Sequence, residues 1–302
     1  MLPMAPFAEA LAGELECRDS VDSAEAERVV ALVTGGVPVG AAEARPYDGL
    51  RAVLTCSTGT DHLDIGALTG RGLTIANTPT YCSDEVADHA LACVLAGWRG
   101  LWTLGAGVRA GAWESETMLR RSDAQRLGVI GLGRIGMRLA RRARALGIDV
   151  VGCDPVVAPG AEDVPRVGLD ELLSTSDAVS LHAPGQPGTT PLLGSRELAL
   201  MKPGAILVNL ARASLVDIDA VVAALESGAL GGAAFDVWTE EPPAPDDTRI
   251  HTRGLLLTPH VGWSSPQADE AWREEAIGAL RAALVTPSGP AMESARVADY
   301  AS

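Results

Sequence analysis

The stretch from Leu127 to Asp154 constrains the fold of this chain more than any other part of the sequence. It contains a short apolar run, the turn GLGRIG at residues 131–136, a helical pattern up to Gly147, a second apolar run and a closing acid. This order predicts a strand, a turn, a helix and a second strand. The stretch therefore indicates one βαβ unit of a parallel α/β fold.

The three glycines of this turn predict a dinucleotide-binding site. We expect Gly131 to permit the tight turn out of the strand, Gly133 to let the backbone approach a pyrophosphate, and Gly136 to allow the helix to pack closely on the sheet. The free N–H groups and the dipole at the helix start would stabilise the phosphate charge. A glycine-rich connector in an ordinary α/β protein is the alternative interpretation.

Asp154 bears on which dinucleotide is bound. It closes the second predicted strand of the unit, where a carboxylate can accept hydrogen bonds from the adenosine ribose hydroxyls. A carboxylate at this position repels a 2′-phosphate, and no Lys or Arg follows in residues 155–157 to neutralise one. The sequence therefore predicts NAD as the cofactor rather than NADP.

Length and charge limit the remaining possibilities. A chain of 302 residues is long enough for about two domains. The net charge of −15 argues against nucleic acid and anionic membranes as partners, because both require a field of Lys and Arg. Five cysteines without a CxxC spacing predict reduced thiols in a cytoplasmic protein and no metal site. We expect neither a secretory leader nor a membrane span.

The rest of the chain alternates between strand-like and helical patterns, which predicts parallel sheets covered by helices on both faces. Glu85–Leu101 is expected to form one long helix with a broad apolar face. Trp102 and Trp113 flank a glycine-rich segment that could pack on a second subunit. We expect a helix at the start of the chain and a loose tail over residues 287–302. The strands predicted ahead of the long helix are Val29–Val33, Leu50–Cys56 and Leu73–Ala76.

Three polar residues follow predicted strands at the edge where ligands of a parallel sheet bind. Arg212 could hold a substrate carboxylate through its planar set of donors, and His260 could exchange a proton with a hydroxyl or carbonyl oxygen. Glu241, paired to His260, would raise the histidine pKa. Asp236 could accept a hydrogen bond from the nicotinamide carboxamide. Each residue alone has an ordinary structural explanation, but as a set they predict hydride transfer to a 2-keto acid.

Several motifs in one order give the chain a resemblance to the D-2-hydroxyacid dehydrogenase family, over about residues 50–284. Beside the glycine turn and Asp154, these motifs are STGTDHLD (57–64), ANTPTYCSDEVADHAL (76–91), HAPGQPGTT (182–190), VNLARASLVD (208–217), AAFDVWTEEPP (233–243) and LTPHVGWSS (257–265).

This resemblance implies an NAD-dependent enzyme that interconverts a D-2-hydroxy acid and its 2-keto acid. Arg212, Glu241 and His260 would be the catalytic set, and Thr58, Gly59 and Thr60 would offer backbone amides to the substrate carboxylate. Further residues would contact the cofactor: Gly131, Gly133, Arg134, Ile135, Gly136, Asp154, His182, Leu210, Ala211 and Asp236.

The resemblance also implies an architecture. It consists of two doubly wound parallel-sheet domains, with a Rossmann nucleotide-binding domain (83–265) inserted into a smaller flavodoxin-like substrate domain (1–82 plus 266–302). The resemblance further implies a homodimer that forms through the nucleotide-binding domain. The chain departs from the family pattern in starting at a helix where a strand is usual, and in having Ala213 and Trp263 where glycine is common. We interpret Trp263 as a substrate-binding residue that walls the pocket and favours apolar or extended side chains.

Two other functions remain possible on the sequence. The first is an NAD-sensing binding protein similar to the corepressor relatives of this family, with little turnover. The second is oxidation of a non-carbon acid such as phosphite. An intact set of Arg212, Glu241 and His260 favours the enzyme, while the physiological acid and the direction of reaction are not encoded in any motif.

Overall fold

The computed structural model describes residues 5–12, 14–18, 23–113, 119, 121–156, 163–185, 188, 190–285 and 296–299. The chain divides into two compact units. The terminal unit comprises Met1–Cys82 and Ser265–Ser302, and the central unit comprises Ser83–Ser264. The boundaries predicted from the sequence lie at the first of these junctions and one residue beyond the second.

The central unit is a six-stranded parallel sheet flanked by helices. The strands lie in the order β10-β9-β8-β7-β5-β6. They are β5 (Arg126–Ile130), β6 (Asp149–Cys153), β7 (Ala178–Leu181), β8 (Ala205–Asn209), β9 (Leu230–Phe235) and β10 (Leu255–Leu257). The helices are α4 (Ser83–Trp98), α5 (Leu101–Arg109), α6 (Arg134–Ala145), α7 (Leu169–Thr175), α8 (Ser195–Leu200) and α9 (Ile218–Glu226), with short 3-10 turns at Ser122–Ala124, Ala213–Leu215 and Thr248–His251.

All six strands of this sheet end at one row of paired residues. In the order of the sheet, the row is Leu257, Phe235, Asn209, Leu181, Ile130 and Cys153. Because the strands are parallel, the residues that follow this row leave the sheet at the same edge. They are Thr258, Asp236, Leu210, His182, Gly131 and Asp154. Five of the six strand termini therefore carry a predicted cofactor residue directly after the row, and the one at Leu210 also leads to Arg212.

Helix α6 shows why these residues form this architecture. Gly136, Leu139, Ala140 and Ala143 are buried at the spacing of one helical face. The arginines of the helix lie outside this face, and Arg138 and Arg142 both form ion pairs with Asp84 of α4. An apolar stripe against the sheet and a charged outer face are what an amphipathic covering helix requires.

The long helix predicted over Glu85–Leu101 is two helices in the structure. Helix α4 ends at Trp98, and α5 begins at Leu101 after Gly100, whose φ of +60° is left-handed. A residue with a side chain resists that conformation, so glycine permits the break. By length and composition, no single helix in the described part of the chain could cross a membrane. Helices α4 and α5 meet that test only together, with a bend of 61° between them.

The terminal unit is built on a five-stranded parallel sheet of order β1-β11-β2-β3-β4. Its strands are β1 (Glu16–Arg18), β2 (Val29–Thr34), β3 (Ala52–Thr55), β4 (Thr74–Asn77) and β11 (Arg296–Asp299). A 3-10 turn at Ser23–Arg28 precedes β2, and the helices are α1 (Ala5–Ala10), α2 (Ala41–Ala44), α3 (Ile65–Gly70) and α10 (Pro266–Val285). The structure thus confirms the predicted opening helix and the three strands predicted ahead of the long helix.

The two faces of this second sheet hold separate cores. Leu54 of β3 packs with Phe7, Trp272 and Leu280 on one face, whereas Val53 of the same strand packs on the other face. Successive side chains of a strand point to opposite faces, so a continuous apolar strand requires cover on both sides.

The expectation of a loose tail over residues 287–302 is wrong for its described part. Arg296–Asp299 forms strand β11, which lies between β1 and β2 and pairs in parallel with both. The first element of the described chain is a helix, as the sequence indicated. The sheet position beside β2 is taken by a strand that follows α10 in the chain.

The glycine turn has two positions where a side chain cannot fit. Gly131 has a φ of +91°, and a Cβ there would lie 2.6 Å from the backbone of His182. A Cβ on Gly136 would lie 2.0 Å from the carbonyl oxygen of Gly131. Gly133 is different, because a Cβ there would meet no heavy atom within 4 Å. The first and third glycines are therefore needed by the fold, and the second leaves open space at the start of α6.

We predict that Gly136→Ala destabilises the protein and that Gly133→Ala does not. The alanine at 136 forces α6 away from the strand end, which should lower the free energy of unfolding by about 1–3 kcal/mol. The alanine at 133 has room and an extended backbone, so its effect should stay within about 0.5 kcal/mol. Urea denaturation measures both, and equal stability of the two variants would contradict this account of the turn.

Candidate active site

The glycine turn and Asp154 are joined by hydrogen bonds. The Leu132 N–H donates to Oδ2 of Asp154 at 2.7 Å, and the Val156 N–H donates to Oδ1 at 2.8 Å. These contacts fix the carboxylate beside the start of α6, where the open space at Gly133 lies. The N–H groups at the start of this twelve-residue helix, including those of Arg134 and Ile135, suit an anion. The start of α6 therefore fits a dinucleotide pyrophosphate, and the fixed carboxylate of Asp154 lies beside it.

His182 and the segment 210–212 follow the two neighbouring strands. His182 Nε2 lies 2.8 Å from the Ser180 hydroxyl, and burial lowers the pKa of its imidazole to about 4. His182 is therefore neutral near pH 7. The Asn209 side chain shapes the next turn, because it accepts from the Ala211 N–H at 3.0 Å and donates to the Arg212 carbonyl at 2.8 Å.

Asp236 is buried and its carboxylate is bound by the loop that carries His260. Oδ1 accepts from the Thr258 hydroxyl at 2.6 Å and from the Val261 N–H at 3.0 Å, and Oδ2 accepts from the Gly262 N–H at 2.7 Å. His260 has a φ of +52°, a left-handed conformation that is uncommon for residues other than glycine. Donors on both sides of His260 thus hold this strained residue in place.

His260 and Glu241 form a direct pair. Nδ1 of the imidazole lies 2.7 Å from Oε2 of Glu241, and the Trp238 N–H donates to Oε1 at 2.8 Å. Both side chains are partly exposed, at 48% for His260 and 38% for Glu241. The carboxylate fixes the ring through Nδ1, which leaves Nε2 to face a reacting group.

The two pKa values are displaced in opposite directions. The hydrogen bond to Glu241 raises the pKa of His260 above its usual value, although burial opposes it. Burial would by itself raise the pKa of Glu241, but hydrogen bonds from His260 and from the Trp238 N–H outweigh it and lower that pKa. The pair therefore keeps the imidazole protonated beside an ionised carboxylate to a higher pH than an isolated histidine would.

Arg212 belongs to the same group of charges. Its positive charge opposes the rise in the pKa of His260 and adds to the lowering of the pKa of Glu241, so Arg212 acts electrostatically on both side chains. Arg212 Nη1 donates to the Ala211 carbonyl at 2.7 Å. Gly185 lies against this side chain, since a Cβ at 185 would come within 2.6 Å of the Arg212 Cβ. The turn after β7 thus approaches Arg212 as closely as glycine allows.

A cavity of about 310 Å³ opens beside the histidine–glutamate pair. Its lining is mostly apolar and includes the prolines that follow Glu241. The lining residues are Asp236, Trp238, Glu241, Pro242, Pro243, Leu257, Thr258, Pro259 and His260. Such a cavity is large enough for a small organic acid and combines an apolar wall with an acid–base pair.

Trp263 lies on the loop after His260. Its indole Nε1 donates to the His260 carbonyl at 2.9 Å, and 40% of the residue is exposed. The ring is therefore held against the backbone of the residue that could exchange a proton, with an apolar surface left accessible.

Thr58, Gly59 and Thr60 belong to the terminal unit. They follow β3 at the carboxyl end of that sheet and are all partly exposed. The Asn77 side chain donates to the Thr58 carbonyl at 2.9 Å, and the Thr58 hydroxyl donates to the Thr78 carbonyl at 3.3 Å. The segment after β4 therefore anchors this loop.

Sequence reasoning missed several residues that shape the site. Asn209 could have been found from its place at a strand end before Arg212. The other two lie inside quoted motifs but received no role: His89 of α4 lies 3.3 Å from the Thr258 hydroxyl, and Gly262 leaves room for Asp236, whose Oδ2 would be 2.9 Å from a Cβ there.

Comparisons with known proteins agree on one family. The family model for the D-isomer specific 2-hydroxyacid dehydrogenase, NAD binding domain, matches residues 91–262, which is over half of the chain. The chain is 34% identical over 261 residues to glyoxylate reductase of Thermococcus litoralis, covering 83% of this chain and 78% of the relative.

One further sequence relative and one solved structure are also similar to this chain. D-3-phosphoglycerate dehydrogenase 2 of Arabidopsis thaliana is 36% identical over 78% of this chain, but the match covers only 38% of that longer protein. The chain thus spans less than half the length of the first curated relatives it matches. The crystal structure of D-lactate dehydrogenase from Aquifex aeolicus, complexed with NAD and lactic acid, superimposes with a TM-score of 0.81 at 27% identity, covering 93% of this chain and 92% of that one.

The family match covers the glycine turn, Asp154 and the residues from Arg212 to His260, and the structural match covers both units. The chain belongs to the D-isomer specific 2-hydroxyacid dehydrogenase family, and its central unit contains the Rossmann-type NAD-binding domain of that family.

Proposed function

We propose that the protein is an NAD-dependent dehydrogenase that interconverts a D-2-hydroxy acid and the corresponding 2-keto acid. One observation carries this proposal. His260 and Glu241 are in contact at 2.7 Å, the charge of Arg212 acts on them, and all three lie at the sheet edge that also holds the glycine turn. Hydride transfer to a keto acid needs a proton donor, a carboxylate-binding cation and a dinucleotide cradle in one place.

NAD, when bound, supplies or accepts the hydride. The start of α6 and Gly133 would hold its pyrophosphate, and Asp154 would accept from its ribose and disfavour a 2′-phosphate. Ile135, His182, Leu210 and Ala211 would line the same cradle. Asp236 would contribute chiefly by holding the loop of His260, because three donors of that loop already bind its carboxylate.

Arg212 would bind the substrate carboxylate and polarise the adjacent carbonyl oxygen. Its planar guanidinium offers paired donors, which match two oxygen atoms better than a single ammonium does. The turn at Gly185 packs against the Arg212 side chain, and Asn209 donates a hydrogen bond to the Arg212 carbonyl. Both contacts limit how far the side chain can move.

His260 would donate a proton to the forming alkoxide in reduction and accept it in oxidation, through Nε2. Glu241 holds Nδ1 and stabilises the imidazolium, so the raised pKa of His260 extends the proton-carrying form to higher pH. In the oxidative direction the same carboxylate stabilises the imidazolium that forms when the hydroxyl proton is taken.

The loop Thr58–Thr60 would bind the substrate carboxylate through backbone N–H groups, and Trp263 would contact the substrate side chain. The exposed indole surface supports an apolar or extended side chain over a small polar one. Activity of Trp263→Ala on glyoxylate and on a branched keto acid tests this point, because only the second should lose kcat/KM.

The protein is proposed to act as a homodimer through the central unit, in the cytoplasm, on a small acid and without nucleic acid or membrane as partner. Leu101, Val108 and Trp113 are exposed to 63%, 50% and 85%, in and after α5. Leu101 and Val108 are seven residues apart and share one helical face. Trp102 does not belong to this surface, since its Nε1 donates to the Gly254 carbonyl. The net charge of −15 supports the absence of polyanionic partners.

The main test is turnover of NADH with glyoxylate, pyruvate and larger 2-keto acids. We expect turnover with NADH in preference to NADPH. His260→Gln should lower kcat by about 10² to 10⁴-fold while leaving the Kd for NADH unchanged, because the imidazole moves a proton and does not hold the cofactor. NADH fluorescence titration and steady-state absorbance measure the two quantities.

His251→Gln is the matched control for this test, because His251 is an exposed histidine in the same unit. It should leave both quantities unchanged. Tight NADH binding with negligible turnover on every acid would instead identify an NAD-sensing binding protein.

The pH dependence of reduction follows from the raised pKa of His260. Reduction needs the imidazolium, so kcat/KM should be highest at low pH and fall as the pH rises through that raised pKa. Glu241→Gln removes the charge that raises it, and the fall should then begin at lower pH. Glu240→Gln alters the adjacent exposed carboxylate and should keep the wild-type profile. Superimposable profiles for Glu241→Gln and wild type would refute the role of this carboxylate.

The proposed dimer predicts that charge on the exposed face of α5 separates the subunits. Replacing both Leu101 and Val108 with Asp should convert a dimer into a monomer in sedimentation velocity, because two carboxylates cannot be buried without partners. Ile65→Asp, on an exposed residue of the terminal unit, should leave the dimer intact. An unchanged sedimentation coefficient in the double variant would exclude this surface.

A further inference from the structure

The loop after β3 has an unusual distribution of hydrogen bonds. Five consecutive backbone carbonyls, those of residues 56–60, each accept a hydrogen bond from within the terminal unit. In order, the donors are Trp272 Nε1 (3.3 Å), the Thr78 N–H (3.2 Å), Asn77 Nδ2 (2.9 Å), the Ser57 hydroxyl (2.7 Å) and the Leu63 N–H (3.0 Å). Every carbonyl of the loop is thereby directed into the protein.

The N–H groups of the loop are arranged in the opposite way. Within the part of the chain that the structure describes, those of Thr58, Gly59 and Thr60 donate to no protein acceptor. Consecutive N–H groups whose carbonyls point elsewhere form a concave site for an anion. Because these donors are neutral and fixed before a ligand arrives, little ordering is needed when one binds.

A chain of side chains beneath the loop fixes this arrangement. The Ser57 hydroxyl donates to the Gly59 carbonyl, so its oxygen must accept from the Thr55 hydroxyl, 2.7 Å away. The Thr55 oxygen can then only accept from Nε2 of His62, at 2.8 Å. Each hydroxyl has one proton, so this direction follows from counting protons along the chain. It requires that Nε2 of His62 carries hydrogen.

Thr55 is fully buried, so it gives the hydrogen-bonded series of Ser57, Thr55 and His62 a rigid base. The loop is held from the other side by Asn77, whose amide donates to the Thr58 carbonyl. The two supports use different elements, because Thr55 ends β3 and Asn77 ends β4. Strands β3 and β4 pair at Thr55 and Asn77, so one row of the sheet carries both supports.

We propose that Ser57 and Asn77 are positioning residues that turn the loop carbonyls inward and so present its N–H groups to the substrate carboxylate, with Thr55 and His62 orienting Ser57. This inference rests on the proposed function, in which the loop binds that carboxylate. A carboxylate is present in the ground state and in the transition state alike. The supports should therefore act on affinity for the acid more than on the rate of hydride transfer.

The test measures KM and kcat for pyruvate, and the Kd of oxamate in the complex with NADH. Oxamate carries the same carboxylate as pyruvate and is not reduced, so its binding reports the anion site without turnover. Ser57→Ala and Asn77→Ala each remove one support. Each should raise KM and the oxamate Kd about 3- to 10-fold, with kcat within about twofold and the Kd for NADH unchanged.

Two further variants separate positioning from general damage. Ser57→Thr keeps the hydroxyl and should restore affinity to near the wild-type value. Thr69→Ala removes an exposed hydroxyl that, among the described residues, donates to the Ile65 and Gly66 carbonyls of its own helix, and it should change nothing. Should Ser57→Ala fail to fold, Asn77→Ala tests the same loop from the other side.

The possible outcomes are distinct. Unchanged KM and oxamate Kd in both alanine variants would overturn the positioning role while leaving the dehydrogenase intact. A loss of kcat, NADH affinity and stability together would also overturn it, because it indicates a merely structural role. Wild-type protein that binds oxamate but turns over no keto acid would refute the proposed function alone, and the variants would still be judged by oxamate.

Discussion

The common register of the central sheet is the constraint on which the rest of this structure depends. Six parallel strands end at one row, and both faces of the sheet are covered by helices. A sheet buried in this way admits charged groups only at its ends, since an unpaired charge in its interior would cost too much. The glycine turn, Asp154, Asp236 and the segments leading to Arg212 and His260 are therefore confined to a single edge by backbone pairing alone.

Two carboxylates at this edge illustrate how environment assigns different tasks to one chemical group. Asp236 is buried and bound by three donors from the loop of His260, so it serves the geometry of that loop. Glu241 is partly exposed and contacts the imidazole itself, so it sets the protonation of the ring. The left-handed backbone of His260 costs free energy, which the hydrogen bonds to Asp236 offset. The same conformation places the imidazole beside Glu241.

Sequence patterns predicted the parts of this protein that are encoded locally. The βαβ unit could be predicted because three glycines, an apolar stripe and an acid lie within one short stretch. The positions of Arg212 and His260 beyond strand ends could be predicted because both follow apolar runs. Strand β1 was missed because Glu16, Cys17 and Arg18 form no apolar run. The break between α4 and α5 was missed because apolar spacing continues across Gly100 and outweighed the single glycine.

The hydrogen bonds that support the loop after β3 could not be predicted for a different reason. Trp272 reaches the carbonyl of Cys56 across 216 positions of sequence, and Asn77 reaches Thr58 across 19. No periodic pattern encodes contacts of this kind, because they exist only once the sheet and its covering helix are assembled. Sequence motifs thus point to this loop as a candidate site, while tertiary packing determines how the loop is held.

The placement of β11 has a consequence for the order of folding. Strand β11 lies between β1 and β2, so the terminal sheet lacks one of its interior strands until residues 296–299 have been synthesised. All of the central unit precedes those residues, and that unit is encoded by one continuous segment. During synthesis from the N-terminus, the central unit can form its complete sheet first. Strand β1 can pair with β11 only after the last residues of the chain have been synthesised.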